Sequence, residues 1–202
     1  MRGLALLAVL VAGPALAQEP ASAPHRGIDL TRIDGHAGAD VQGVASVNVA
    51  AGVGNAQANV RAIALAGHSQ AVAVVQQRLD AGQADLQRDA RAVLGGAALE
   101  SARGVVGLNQ AAGAANAQVN VLALGTHALA AFGQPIDNLA LAATRAESAP
   151  APAGGAPAPL REARIEGDAL RGSGGVVQLN QTAGVGNASA NVIVLQLPGG
   201  TP

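Results

Sequence analysis

Small apolar residues and asparagines follow one another in the same order in three segments of the chain. The segments span 43–60, 104–121 and 175–192, align without gaps, and read GVASVNVAAGVGNAQANV, GVVGLNQAAGAANAQVNV and GVVQLNQTAGVGNASANV. Nine of the 18 columns hold the same residue in all three, which gives the pattern GVxxxNxxAGxxNAxxNV. Weaker matches on both sides extend the unit to about 31 residues, and they place the repeats at 33–63, 94–124 and 165–195. Repeats of this kind are typical of solenoids, in which each repeat buries its apolar face against the next.

Each repeat predicts two strands joined by a tight corner. In the first repeat, residues 44–49 and 56–65 are rich in β-branched and small apolar residues, with a glycine-containing corner at 51–55 between them. β-Branched residues favour strands, and glycine favours the backbone conformations of corners. The other two repeats follow the same pattern. The sequence therefore predicts an all-β fold, a short three-layer parallel β-solenoid or cross-β structure with one layer per repeat.

The asparagines are concentrated in these repeats. Of the ten in the chain, nine occupy three matched columns and only Asn138 lies elsewhere. The columns are Asn48, Asn109 and Asn180; Asn55, Asn116 and Asn187; and Asn59, Asn120 and Asn191. One explanation is a turn, since Asn tolerates left-handed backbone and the repeat-corner glycines Gly52, Gly113 and Gly184 lie close by. The other is a self-assembly ladder, in which identical amides of parallel strands, stacked at about 4.7–4.8 Å, donate to one neighbour and accept from the other.

The segments outside the repeats differ in composition. Residues 1–17 combine an early Arg, a short apolar run and the small-residue cleavage site ALA, which predicts a secretory signal peptide. Residues 76–93 have Leu and Ala at roughly helical spacing and predict an amphipathic helix. The stretch APAPAGGAPAP at 149–159 predicts a disordered or polyproline-like spacer. The remaining divisions are an N-terminal tail at 18–32, a first linker at 64–93, a second linker at 125–164 and a C-terminal tail at 196–202.

Composition excludes several classes of function. Half of the 202 residues are apolar, yet there is one Phe and no Tyr, Trp, Cys or Lys, so we expect no large globular core, disulfide, thiolate metal site or lysine chemistry. The net charge of −1 and the lack of aromatic stacking platforms predict no nucleic-acid partner. The four histidines, His25, His36, His68 and His127, have no metal-ligand spacing. We therefore expect no enzyme, no cofactor and, without a long apolar run, no membrane insertion of the mature chain.

The repeat cores lack the residues that usually block strand edges. The three 18-residue segments contain no Pro and no charged residue. Ordinary proteins protect exposed edges with charge or Pro, so this absence favours assembly into fibres with further copies of the chain. Two alternatives remain open: a monomeric accessory or chaperone protein of a fibre-secretion system, and a solenoid adhesin.

These repeats resemble those of the Fap functional-amyloid family of bacterial biofilm fibres. The resemblance rests on SVNVAAG at 46–52 with NAQAN at 55–59, on their two counterparts, and on the layout of three repeats and two unequal linkers behind a signal peptide. It implies export through the periplasm and an outer-membrane secretion pore, polymerisation into cross-β fibres of the extracellular matrix, a possible related fibre subunit as partner, and a role in attachment. Subunits of that family carry a C-terminal Cys-x-x-Cys, whereas this chain has no Cys. Main, nucleating and accessory subunits therefore remain open alternatives.

Overall fold

Every regular element in the described part of the chain is a β-strand. The computed structural model describes residues 26–64, 70–75, 77, 87–126, 130–135 and 157–197. The strands in these ranges are β1 (Ile28–Ile33), β2 (Gln42–Ala51), β3 (Ala56–Ala64), β4 (Gln70–Val75), β5 (Asp89–Leu94), β6 (Arg103–Ala114), β7 (Ala117–Thr126), β8 (Ala130–Pro135), β9 (Arg161–Ile165), β10 (Gly174–Val185) and β11 (Ala188–Leu197). The prediction of an all-β fold is confirmed.

The strands form three stacked layers. Layer one holds β1 to β4, layer two holds β5 to β8, and layer three holds β9 to β11. Strands at equivalent places in successive layers pair in parallel, in the sheets β1-β5-β9, β2-β6-β10, β3-β7-β11 and β4-β8. The predicted three-layer parallel β-solenoid is thus confirmed, with layer two between the other layers.

The register of the sheets is the alignment of the sequence repeats. Val105 pairs with Val44, 61 residues earlier, and with Val176, 71 residues later. We call each set of residues matched in this way across the layers a column. In the fourth sheet Gln70 pairs with Ala130, an offset of 60, so layer two is one residue shorter between its third and fourth strands. The observed strands β2 and β3 confirm the predicted strand–corner–strand unit.

Two expectations for the segments outside the repeats are wrong where the structure describes them. Residues 89–93, expected to end an amphipathic helix, lie in β5, and residues 28–32, expected in a tail, lie in β1. The apolar residues Ala90, Ala92 and Leu94 alternate along β5 and face the interior, so pairing with β1 and β9 outweighs a weak helical pattern. Strands β4 and β8 also lie in the predicted linkers.

Other predictions fall on residues that the structure does not describe. The signal peptide at 1–17 and most of the Pro-rich spacer at 149–159 lie outside the described ranges, as do residues 76 and 78–86 of the helix predicted at 76–93 and the last residues of the C-terminal tail. The division of the chain into repeats and linkers therefore stays a prediction in those segments.

The turn between the first two strands of each layer is also stacked. The glycines that open it, Gly35, Gly96 and Gly167, have φ of 65°, 62° and 69°, the left-handed conformation that glycine adopts without steric strain. The Ala97 amide donates to the Gly35 carbonyl at 2.7 Å, and the Asp168 amide donates to the Gly96 carbonyl at 2.7 Å. Backbone pairing between layers therefore continues through the turn.

The apolar core lies in the middle layer. Its largest cluster of buried residues consists of Leu94, Ala98, Leu99, Ala102, Val106 and Leu108, all from layer two. Half-buried residues of layers one and three, including Ile33 and Leu179, pack against it from either side. Small side chains suffice for this core because neighbouring layers are only about 4.7–4.9 Å apart.

One column gives a direct test of where the stability of the folded chain lies. We expect Leu94→Ala to lower the free energy of unfolding by about 2–4 kcal/mol, because Leu94 is completely buried and its loss leaves a cavity. The same column contains Ile165, which is 50% exposed, and Ile165→Ala is the matched control, with an expected loss below about 1 kcal/mol. Guanidinium unfolding of the monomeric chain measures both values. Equal losses would contradict a core centred on layer two.

Candidate functional site

The amides of Asn55, Asn116 and Asn187 form a continuous column at the corner of the three layers. In Asn116, both the backbone N–H and Nδ2 donate to Oδ1 of Asn55, at 3.0 and 2.8 Å. Asn187 repeats this arrangement on Oδ1 of Asn116, at 3.1 and 2.7 Å. The corners of layers two and three are thus hydrogen-bonded to the asparagine amide oxygen of the preceding layer. Both explanations offered by the sequence, a turn and a ladder, therefore describe this column.

The other two asparagine columns lie on neighbouring strands and contact each other. Nδ2 of Asn109 donates to Oδ1 of Asn48 at 2.9 Å, and Nδ2 of Asn180 donates to Oδ1 of Asn109 at 3.0 Å. In the second column, Nδ2 of Asn120 donates to Asn59 at 2.8 Å and Nδ2 of Asn191 donates to Asn120 at 3.0 Å. Nδ2 of Asn120 also reaches Oδ1 of Asn109 within its own layer, at 3.0 Å. The two columns therefore form one connected network.

The middle rung of each column is buried and hydrogen-bonded. Asn109, Asn116 and Asn120 have exposed fractions of 0%, 0% and 1%. Their Nδ2 groups also donate to backbone carbonyls, as from Asn116 to Gly184 at 3.1 Å and from Asn109 to Ala58 at 2.9 Å. An unsatisfied buried amide costs about 1–3 kcal/mol, so the middle rungs depend on the rungs beside them.

All three columns have the same direction. In every contact between asparagine amides of neighbouring layers, the residue of the later layer donates and the residue of the earlier layer accepts. The outward side of layer three therefore presents the amide oxygens that accept, and the outward side of layer one presents the groups that donate. The two ends of the solenoid are chemically different and complementary.

The corner glycines are required by the close approach of the layers. Gly52, Gly113 and Gly184 have φ of 98°, 103° and 132°, where a residue with a side chain is strained. A Cβ on Gly52 would lie 2.0 Å from the Gly113 carbonyl oxygen, and one on Gly113 would lie 2.0 Å from that of Gly184. Glycine at these positions permits the layer spacing on which the asparagine columns depend.

Two further sets of stacked residues were not predicted as site residues. Gly43, Gly104 and Gly175 are the second residues of β2, β6 and β10, with φ of 102°, 115° and 97°, and a Cβ on Gly104 would lie 2.1 Å from the Gly43 carbonyl oxygen. Their identity in all three repeats was a signal for the same close approach. Gln110 and Gln118 are completely buried in layer two; they accept from Gln181 at 3.0 Å and from Gln57 at 2.8 Å. Each glutamine column has Gln in only two repeats, which gave a weaker signal.

The charged residues lie mainly in the sheet β1-β5-β9 and its adjoining turn. Arg91 pairs with Glu162 of the next layer at 3.0 Å, and Arg171 pairs with Glu100 through Nε at 3.1 Å. Within layer one, the hydrogen bond from Arg32, together with the Gly35 backbone amide, lowers the pKa of Asp34. In the described ranges no three His, Cys, Asp or Glu side chains come together as a metal site. The same part of the chain has no helix long and apolar enough to cross a membrane.

The corner glycines can be tested against a glycine that has free space. We expect Gly113→Ala to destabilise the folded chain by more than about 2 kcal/mol, since it combines a disfavoured φ with a clash against the next layer. Gly174→Ala is the matched control, because no atom lies within 4 Å of a Cβ built there. Guanidinium unfolding midpoints compare the two variants. A Gly113→Ala midpoint equal to that of Gly174→Ala would contradict the steric role.

The comparison with known proteins agrees with this arrangement of stacked repeats. No solved structure matches the chain. The sequence model of the functional amyloid protein FapB/FapC family matches residues 15–198 of the 202, a range that includes all three repeats and both linkers. The match confirms the resemblance drawn from the repeats. The chain therefore belongs to the FapB/FapC family of functional amyloid proteins.

Proposed function

We propose that this chain is a secreted structural protein that assembles into amyloid-like extracellular fibres of the biofilm matrix by stacking its solenoid layers end to end. The observation that carries the proposal is the contrast in burial between the middle layer and its neighbours. Only layer two has a layer on each side, and most of its residues are buried, whereas most of the matched residues of layers one and three are half-buried or exposed.

Residues of identical type show this contrast within single columns. Val121 is completely buried in layer two, while Val192 at the same position of layer three is 36% exposed. Asn109 is buried, while Asn48 in its column is exposed. Burial of apolar surface contributes roughly 25 cal/mol per Å², and paired backbone groups along a full-length strand add to it. Each copy added to an end turns two outer layers into middle layers.

The outer face of layer three has the form of a template for another layer. Strands β10 and β11 are edge strands, with the open space between them lined by Gln178, Leu179 and Asn191 among others. Oδ1 of Asn187 occupies the position in which Oδ1 of Asn116 accepts two hydrogen bonds from the layer that follows it. Asn55 at the start of the next copy would supply those two donors in the same register.

The direction of the asparagine columns selects one mode of stacking. Head-to-tail contact places donating amides of layer one on accepting amides of layer three, as happens between layers within the chain. Head-to-head contact, in which the layer-three ends of two copies meet, places acceptors against acceptors. A head-to-tail interface that does not close on itself generates an open filament. The resulting fibre is polar, with nine asparagines of each copy in continuous self-assembly ladders.

The family and the predicted signal peptide support export and a cell-surface location. A functional amyloid family implies extracellular fibres. We propose that residues 1–17 direct the chain to the periplasm and that an outer-membrane pore passes it to the surface, where it polymerises with itself and with any related subunit. The chain then acts mechanically, in matrix cohesion and attachment, and its stacked amides serve structure and not catalysis.

The polymerisation of the purified chain is the primary test. The chain without residues 1–17 should show a lag phase, growth without lag when sheared fibres are added, and a cross-β reflection at about 4.7–4.8 Å. Thioflavin fluorescence, sedimentation and fibre diffraction measure these properties. A chain that stays soluble at high concentration for days contradicts the proposal. A soluble chain that delays another subunit's fibres at substoichiometric amounts supports the accessory role instead.

The asparagine ladder has its own prediction. Replacing Asn55, Asn116 and Asn187 together with Ala removes a column whose amides carry cross-layer bonds, each worth about 0.5–1.5 kcal/mol, so the lag should lengthen at least about tenfold. Asn138→Ala, at the one asparagine outside the repeats, is the control and should leave the lag unchanged. Equal lag times for the two variants would show that the ladder does not drive assembly.

A further inference from the structure

One column of the first sheet carries opposite charges at the two ends of the solenoid. Asp29 of β1 pairs in register with Ala90 of β5, and Ala90 pairs with Arg161 of β9. Asp29 is 7% exposed and Ala90 is buried, so this column faces the interior of the solenoid. The acid belongs to layer one, the base belongs to layer three, and a neutral small residue separates them.

Both charged side chains pack against the corner glycine of their own layer. Oδ2 of Asp29 lies 3.0 Å from the position that a Cβ on Gly52 would occupy. Nη1 and Cδ of Arg161 lie 3.0 and 3.2 Å from the equivalent position on Gly184. Because that Cβ direction points toward the following layer at Gly52 and Gly113, Arg161 extends over the outward side of layer three and Asp29 over the side of layer one that faces layer two. The two side chains therefore point the same way along the stack.

The carboxylate of Asp29 is already part of an ion pair within its own chain. Nε of Arg88 donates to Oδ1 of Asp29 at 2.9 Å, and Nη2 of Arg88 lies 2.8 Å from the same oxygen. Each carboxylate oxygen accepts more than one hydrogen bond, and the two oxygens together can accept about four. Asp29 therefore keeps acceptor capacity for a second guanidinium beside Arg88.

The solenoid already uses ion pairs between residues of one column in neighbouring layers. Arg91 of layer two and Glu162 of layer three are register partners, and their side chains pair at 3.0 Å. Glu100 and Arg171 occupy another column of layers two and three and also pair, at 3.1 Å to Nε. One layer spacing is therefore a distance over which an Arg and a carboxylate in this fold meet directly.

We propose that Arg161 of one copy pairs with Asp29 of the next copy at every junction of the fibre, so that this pair fixes the polarity and the partner of the stack. The inference rests on the proposed head-to-tail assembly and deepens it, since it names the charged contact that closes each junction. Head-to-head stacking instead faces Arg161 with Arg161, and tail-to-tail stacking faces Asp29 with Asp29. The interior position makes these like-charge contacts more costly than contacts on a solvated surface.

The exposed charges near this column are compatible with head-to-tail stacking in the register of the sheets. Head-to-tail stacking sets Arg164 over Arg32 and Glu166 over Asp34, which are like-charge columns. Each of these arginines is paired with an acid of its own layer, Arg32 with Asp34 and Arg164 with Glu162 and Glu166. Basic and acidic side chains therefore alternate along each of the two layers. Each arginine of one layer has an acid of the other layer diagonally opposite it. These side chains are solvated, and salt screens them within about 10 Å at 0.1 M.

The test uses two variants, each of which reverses the charge on one side of the junction. Arg161→Glu sets a carboxylate against the carboxylate of Asp29 in the next copy. The second variant combines Asp29→Arg with Arg88→Glu, which keeps an opposite-charge pair inside layer one and sets a guanidinium against that of Arg161. Each variant alone should elongate at least about tenfold more slowly than the wild-type chain from its own sheared fibres at low ionic strength. An equimolar mixture of the two should elongate at close to the wild-type rate, because every mixed junction joins opposite charges.

The mixture distinguishes a junction contact from general damage to the fold, since two misfolded chains would not rescue each other. Arg164→Glu is the matched control, with the same change of net charge in the same strand, and it should keep at least about half of the wild-type rate. At about 1 M salt the difference between the variants and the wild type should fall below about threefold. Elongation is followed by thioflavin fluorescence and by the loss of soluble chain.

The outcomes separate this inference from the proposed function. If the wild-type chain forms cross-β fibres but either reversed variant elongates as fast as the wild type at low salt, or if the mixture is as slow as its components, the ion pair is refuted and fibre assembly stands. If the wild-type chain forms no fibres, both proposals are refuted.

Discussion

The structure depends on one constraint: each layer satisfies its hydrogen-bonding groups only through a layer of the same shape placed directly on it. The asparagine amides make this clear, because Asn116 donates both its backbone N–H and its Nδ2 to the amide of Asn55 and offers its own oxygen to Asn187. Parallel strands in register impose the same condition on the backbone. A layer that lacks a neighbour on one side leaves that side of its strands and amides to solvent, so the requirement for a matching layer stays open at both ends of the solenoid.

The small side chains follow from this constraint. At Gly52 and Gly113, a Cβ would lie 2.0 Å from the carbonyl oxygen of the next layer, so no residue with a side chain fits at these corners. The buried cluster around Ala90, Ala92 and Ala112 likewise contains only alanines. A composition without Trp or Tyr cannot build a thick core, but it suits layers whose cohesion comes from backbone and amide pairing along the stack.

The parts of the fold that could be predicted are those in which identical residues stack. Gly, Asn and Val recur in the columns of β2 and β3, so the sequence alone indicated both strands, the corner and the register. In the first sheet the column of Asp29, Ala90 and Arg161 has no residue in common, because parallel backbone pairing does not require identical side chains. All three strands of this sheet, β1, β5 and β9, were therefore missed. The fourth sheet was missed too, since one residue fewer in layer two shifts its register out of the alignment.

The number of layers per chain links folding to the proposed assembly. With three layers, one third of the layers is enclosed on both sides, and Val121 is buried where Val192 is not. A chain with many more repeats would enclose most of its layers alone and would gain proportionately less from a neighbour, as in capped solenoids. Three layers give each asparagine column one middle rung with a partner on both sides, which fixes register, and leave two complementary ends on which that register can continue. In the proposed fibre, the contact between copies supplies the stability that a short chain of small residues lacks.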